Sequence, residues 1–213
     1  MTIKQKDEEI VNAWTHLISA LICALSFAWV LLFSSVSFEH KLALLPMVGT
    51  SIWTFLSSYL YHSQEEPKKK ERNRILDKTS IYVMIFGCGV TATLTCRDSA
   101  VLVFSCVSLA ISIIFLTYIF CTQEKSREWF TLFSYVTVGW LATFPSLGIF
   151  CESLYSTTGN VHLILLSGFF YCFGIIFYSR DSIKWFHTIW HFFVMAGMGT
   201  HLFTQIYVAS ITS

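Results

Sequence analysis

Two histidines four residues apart, His187 and His191, sit in the run Trp185-Phe186-His187-Thr188-Ile189-Trp190-His191-Phe192-Phe193. On a helix that spacing puts both imidazoles on one face, one turn apart, where they can reach a single object. Ionisable groups inside an apolar run are costly and mark functional sites. In a chain poor in charge, an H-x-x-x-H pair there points to a bound metal ion. A third ligand has to come from another part of the chain, so the elements that carry the histidines decide the reading.

Those elements belong to a membrane. Of the 213 residues, 54% are hydrophobic and only 13% are charged, against about a quarter charged in soluble domains. Twenty Phe and seven Trp point the same way. The net charge of +1 comes without a basic block of the kind that binds nucleic acid. The seven cysteines (Cys23, Cys88, Cys96, Cys106, Cys121, Cys151 and Cys172) show no CxxC spacing and lie mostly in or beside apolar runs. They read as small buried hydrophobes, with Cys96 and Cys151 near segment ends where a disulfide is conceivable.

Seven apolar segments stand out: 14–37, 41–62, 78–96, 99–121, 129–149, 161–178 and 186–211. Each is near the roughly 20 residues that a helix needs to cross a bilayer, and no Asp, Glu, Lys or Arg interrupts their interiors. The expected fold is all-α: a polytopic membrane protein, a seven-transmembrane-helix bundle forming a single domain over residues 1–213. The polar start, Thr2 to Glu9, runs straight into a full-length span, which suits a signal-anchor rather than a cleaved signal peptide.

Lysine and arginine set the direction. With the N-terminus in the cytoplasm, the inner side collects Lys4, Lys6, Lys68, Lys69, Lys70, Arg72, Arg74, Lys78, Lys125, Arg127, Arg180 and Lys184. The outer side receives Lys41 and Arg97, so twelve of the fourteen basic residues lie inside. The C-terminus then lies outside. The expected location is multi-pass in a membrane, the plasma membrane if the chain is bacterial.

This topology sorts the histidines. His62 ends span 2 at the cytoplasmic level, where His187 and His191 begin span 7 and Asp77 begins span 3. His40 and His162 fall on the opposite side. His201 lies 14 residues beyond His187, roughly 21 Å along a helix at 1.5 Å per residue, too far for the same ion. His16 is at the right level but has no partner spacing. Three imidazoles with one open position are the usual arrangement of a catalytic zinc site, and zinc lowers the pKa of a water in the open place toward about 7. Asp77 is placed to orient that water or act as its base. Ser58, four residues before His62, falls on the same helix face one turn deeper, where its hydroxyl can bond a ligand or polarise a substrate carbonyl.

Ordered motifs along nearly the whole chain strengthen this assignment. They are Glu9-x-x-Asn12-x-x-Thr15-His16, Ser58-x-x-x-His62, Leu76-Asp77 followed by Ile81-Tyr82, and Phe186-His187-x-x-x-His191 with His201 downstream. In this order they resemble the hemolysin III family, bacterial relatives of the progestin and adiponectin receptors in a superfamily that includes alkaline ceramidases. The resemblance implies a seven-helix bundle with an intracellular N-terminus, opposite to G-protein-coupled receptors. It also implies zinc on His62, His187 and His191, with Asp77 on the metal-bound water and Ser58 in the site. Two departures stand out. Lys78 occupies a place where the family often has His, and Phe86-Gly87-Cys88-Gly89-Val90-Thr91 replaces an Ala-Gly-Thr-Tyr-Thr-Pro type stretch.

The function expected is a zinc-dependent hydrolase of a lipid amide or ester bond, with membrane lipids as substrate or partner. The alternatives are a cytolytic, hemolysin-type membrane protein and a receptor or sensor with a structural zinc. Cytolysis finds little support, because neither a soluble state nor an amphipathic insertion segment is visible. The basic segment Gln64 to Asp77 reads as a topology signal that touches anionic headgroups.

Overall fold

The structure is a computed structural model that describes residues 3–96, 99–121, 127–144 and 160–211. The described residues form helices and no strand. The helices are α1 (Ile3–Phe33), α2 (Phe38–Ala43), α3 (Leu45–His62), α4 (Pro67–Cys96), α5 (Ser99–Cys121), α6 (Arg127–Thr143), α7 (Val161–Tyr178) and α8 (Phe186–Ile211). Six stretches are long and apolar enough to span a bilayer: Lys6–Phe33, Phe38–His62, Pro67–Cys96, Ser99–Tyr118, Val161–Tyr178 and Phe186–Ile211. The chain is an integral, multi-pass membrane protein. The seventh expected span corresponds to α6, and its expected end, residues 145–149, lies outside the described residues.

Two helices begin well before the apolar run that announced them. α1 starts at Ile3 rather than at residue 14, and α4 starts at Pro67 rather than at residue 78. Hydropathy marks only the part of a helix that sits in hydrocarbon, whereas the backbone stays helical wherever propensity allows. Pro67 is favourable in a first helical turn, where its missing N–H costs nothing. The Lys, Glu and Arg that follow are good helix formers, and Glu71–Arg74 adds an i,i+3 ion pair within the helix at 3.8 Å. Asp77 is therefore not at a helix start but ten residues into α4.

The long helices close a sequential ring. α1 packs on α3, α3 on α4, α4 on α5, α5 on α6, α6 on α7, α7 on α8, and α8 returns to α1. On α1 the buried residues Ala13, His16, Ala20, Cys23, Phe27 and Val30 recur every three or four positions, while Trp14, Ile18, Leu21, Leu25, Trp29 and Leu32 are exposed on the other face. An apolar stripe with no protein against it is what a lipid-facing helix requires. The core lies between α1, α3, α4 and α8, with Phe27, Met47, Phe55, Met84, Met198 and Leu202 in one cluster.

Small and hydroxyl-bearing residues let these helices approach closely, the usual device where lipid gives no hydrophobic drive between helices. Pro46 separates α2 from α3 within one span, and the break is repaired locally. The Met47 N–H donates to Thr91 Oγ1 of α4 at 3.0 Å, and Thr50 Oγ1 donates to the Pro46 carbonyl at 2.7 Å. Thr54 Oγ1 bonds the Ser80 carbonyl at 2.9 Å, joining α3 to α4 again. Between α7 and α8, Gly174 lies so close to the facing helix that a Cβ there would meet Phe193 Cβ at 2.8 Å and Trp190 Cε3 at 2.9 Å. Gly174→Ala is expected to cost about 1–3 kcal/mol, the range for overpacking. Gly199→Ala, with nothing within 4 Å of the added carbon, is expected to change stability by less than about 0.5 kcal/mol. Thermal melts of the two variants in detergent check this; equal melting points would contradict the close α7–α8 contact.

Candidate metal centre

The site forms where the end of α3 meets the start of α8. His62 is the last residue of α3, and the chain leaves the helix at Ser63, whose N–H still bonds the Tyr59 carbonyl at 2.9 Å. α8 is entered through Trp185, whose φ of 73° is a left-handed conformation that a bulky residue adopts only under constraint. Lys184 Nζ lies 4.6 Å from the centre of the Trp185 ring. The helix begins at the next residue, which fixes His187 in its first turn and His191 in its second.

The three rings converge as their depth in the sequence implies. Ring centroids lie 5.2 Å apart for His62 and His187, 4.9 Å for His62 and His191, and 4.6 Å for His187 and His191. One nitrogen from each ring lies within 4.8 Å of the others, so the group can hold a metal ion. Nitrogens sharing a tetrahedral ion at about 2.0–2.1 Å lie about 3.3–3.4 Å apart, so the rings would draw together by up to roughly 1.5 Å around an ion. The donor chemistry also fits. His62 Nε2 and His191 Nδ1 are buried and have no hydrogen-bond partner among the described residues. Such an atom, left without a partner, costs about 1–3 kcal/mol.

Asp77 and Ser58 join the same cluster from α4 and α3. Asp77 lies beside the Ser58 hydroxyl and within electrostatic reach of His62. Ser58 is buried, at 2% exposure. Around Asp77 the α4–α6 contact is pinned by tyrosines. Tyr135 donates to the Lys78 carbonyl at 2.8 Å, and Tyr82 shares a hydrogen bond with Ser134. The unusual Lys78 thus contributes a backbone carbonyl to the wall beside Asp77. The replaced stretch Phe86–Thr91 continues α4 unbroken, with Gly87, Cys88 and Gly89 buried.

α1 contributes more to the site than residue spacing indicates. His16 lacked a spacing partner, yet its ring lies 4.0 Å from that of His191 and parallel to that of His62 at 6.5 Å. Both of its nitrogens are buried and have no hydrogen-bond partner among the described residues. Glu9 Oε2 lies 2.9 Å from His62 Nδ1 and 2.8 Å from Lys70 Nζ. Asn12 Oδ1 accepts from Thr188 Oγ1 at 2.6 Å. Glu9, Asn12 and His16 occupy positions i, i+3 and i+7 and so share one helix face. That spacing is the motif Glu9-x-x-Asn12-x-x-Thr15-His16; its contacts were not evident because Glu9 lies before the apolar run. His201 stands apart, within hydrogen-bond reach of Gln205 at 3.4 Å. The conceivable disulfide partner Cys151 lies outside the described residues.

With this geometry in place, the comparisons with known proteins identify the family. The family described as "Haemolysin-III related" matches residues 4–202. The chain belongs to this family. It is 30% identical over 208 residues to the "Hemolysin-3 homolog" of Bacillus subtilis (strain 168), covering 94% of this chain and 93% of that protein. It is 29% identical to "Hemolysin-3" of Bacillus cereus over 94% of this chain and 91% of that one. A shorter match, 34% over 87 residues, joins it to the human "Monocyte to macrophage differentiation factor", covering 40% of this chain and 34% of the relative.

Metal analysis of detergent-purified protein is expected to find one divalent ion per chain, lost in both His62→Ala and His191→Ala. Retention of the ion in both variants would exclude the three-histidine site.

Proposed function

We propose that this haemolysin-III relative is a zinc-dependent hydrolase that cleaves an amide or ester bond of a membrane lipid. The observation that carries this reading is the convergence of His62, His187 and His191 in a bundle that also encloses an apolar cavity. Ile81, one turn beyond Asp77, and Trp190, next to His191, line it together with Tyr135 and Tyr171. It lies between α4, α6, α7 and α8 and extends to Ile164 and His201, and neither Asp77 nor any of the three histidines lines it. Its volume is about 140 Å³, close to the roughly 150 Å³ of an apolar cavity that accepts benzene. Its size and apolar lining suit the first part of an acyl chain.

His62, His187 and His191 would hold the ion. Bound there, zinc supplies Lewis-acid polarisation of a carbonyl and lowers the pKa of water to about 7. Asp77 accepts the proton of the attacking water at its carboxylate, and Ser58 fixes the orientation of that carboxylate through its hydroxyl. The apolar wall excludes bulk water from the acyl side. The bias of Lys and Arg in the connections supports an N-terminus in the cytoplasm, a site at the cytoplasmic leaflet and a single bundle acting as one domain. Membrane lipids are then both solvent and substrate source.

The names of the two Bacillus relatives supply a second reading, cytolysis. The two are separable. Purified zinc-loaded protein is expected to release fatty acid from at least one of a ceramide, an N-acyl amide and a phospholipid. Asp77→Asn should lower that rate by at least 100-fold, the lower range for a general base, while zinc content stays unchanged. A protein that releases no fatty acid from the panel, or wild-type turnover in Asp77→Asn, would contradict the hydrolase. Lysis of red cells that persists in His187→Ala would favour cytolysis.

A further inference from the structure

We propose that Glu9 is a positioning residue for the metal centre: its carboxylate holds His62 in the tautomer that carries its proton on Nδ1, which turns Nε2 as a lone-pair donor toward His187 and His191. This rests on the reading of the three histidines as a metal site.

The chemistry of the two partners decides which one donates. An ionised carboxylate only accepts hydrogen bonds, so an imidazole nitrogen 2.9 Å from Glu9 Oε2 has to be the donor. A neutral ring protonated on Nδ1 has its lone pair on Nε2. That atom is the one left buried and without a hydrogen-bond partner among the described residues. A ligating histidine that gives its other N–H to a carboxylate is fixed in both tautomer and ring orientation, and becomes a stronger donor.

The contact differs from the surface ion pairs nearby. Lys6 and Glu65 lie 3.1 Å apart with side chains 62% and 83% exposed, where such pairs count for little. The side chains of His62 and Glu9 are 2% and 22% exposed, so water competes weakly for the bond. Lys70 reaches the same Glu9 oxygen from α4 at 2.8 Å, balancing its charge and holding it in place. One turn along α1, Asn12 grips Thr188, the neighbour of His187. The first helix thus holds both ligand-bearing helices, and Glu9 is the member that touches a ligand directly.

Two measurements test this. In metal-free protein labelled with 15N-histidine, the His62 signals, assigned by their loss in His62→Ala, should report a proton on Nδ1. In Glu9→Ala they should shift to a mixture or to the other tautomer. Zn²⁺ affinity, measured by competition with a chelator, should fall about 10–100-fold in Glu9→Ala. Glu9→Gln, whose amide oxygen still accepts a hydrogen bond but carries no charge, should lose less. An unchanged tautomer in folded Glu9→Ala, or an affinity within twofold of wild type, would overturn the proposal, since a merely structural Glu9 would lower stability without either change. If Glu9→Ala does not fold, Glu9→Gln carries the test, and affinity equal to wild type in that variant overturns it. Wild-type protein that takes up no Zn²⁺ would refute the metal reading itself, and the tautomer measurement would then decide separately whether Glu9 orients His62.

Discussion

Buried imidazole nitrogens without a protein partner are the constraint on which the rest of the site depends. His16, His62 and His191 place four such atoms at one end of the bundle. At about 1–3 kcal/mol for each unmet group, their combined cost is comparable to the 5–15 kcal/mol that holds a whole domain folded. A chain whose other buried polar side chains nearly all find a hydrogen-bond partner does not gather these by packing alone. The arrangement is stable only if something polar joins the rings, and three converging nitrogen donors are the ligand set of a divalent metal ion.

The bundle is organised around that requirement. The ligands lie at the margins of two helices, the last residue of α3 and the first two turns of α8, where the backbone direction is set by neighbouring turns. α1 passes beside both and bonds to each through Glu9 and Asn12. α4 brings Asp77 from the opposite side, and its contacts to α3 and α6 run through hydroxyls and backbone carbonyls. Away from this polar level an apolar cluster fills the space between α1, α3, α4 and α8, and an apolar cavity lies between α4, α6, α7 and α8. A lipid, polar at one end and apolar at the other, matches that gradient.

Much of this was legible in the sequence, for reasons that can be stated. Seven apolar runs of the right length identify the spans because hydrocarbon leaves a chain few alternatives to a helix. Span order then placed His62, His187, His191 and Asp77 at one level and set aside His40 and His162, and the helical rise set aside His201. Hydropathy was silent about the polar turns that extend α1 back to Ile3 and α4 back to Pro67, because they project beyond the apolar stretch and resemble loops in composition. Glu9 and Lys70 lie in those turns, so their contacts with each other and with His62 were not foreseen. His16 was placed at the right depth but left without a partner, because nothing in a one-dimensional spacing shows that α1 closes the ring against α8.

The central claim is that three histidines, and no other side chains, hold one ion. Cys23 and Cys88, both buried in the core below the site, are the natural competitors for a metal that favours sulfur. X-ray absorption at the zinc edge of the purified protein decides between these directly. The account predicts three imidazole nitrogens at about 2.0–2.1 Å and no sulfur scatterer. A sulfur shell at about 2.3 Å, or a spectrum fitted by fewer than two imidazoles, would contradict it.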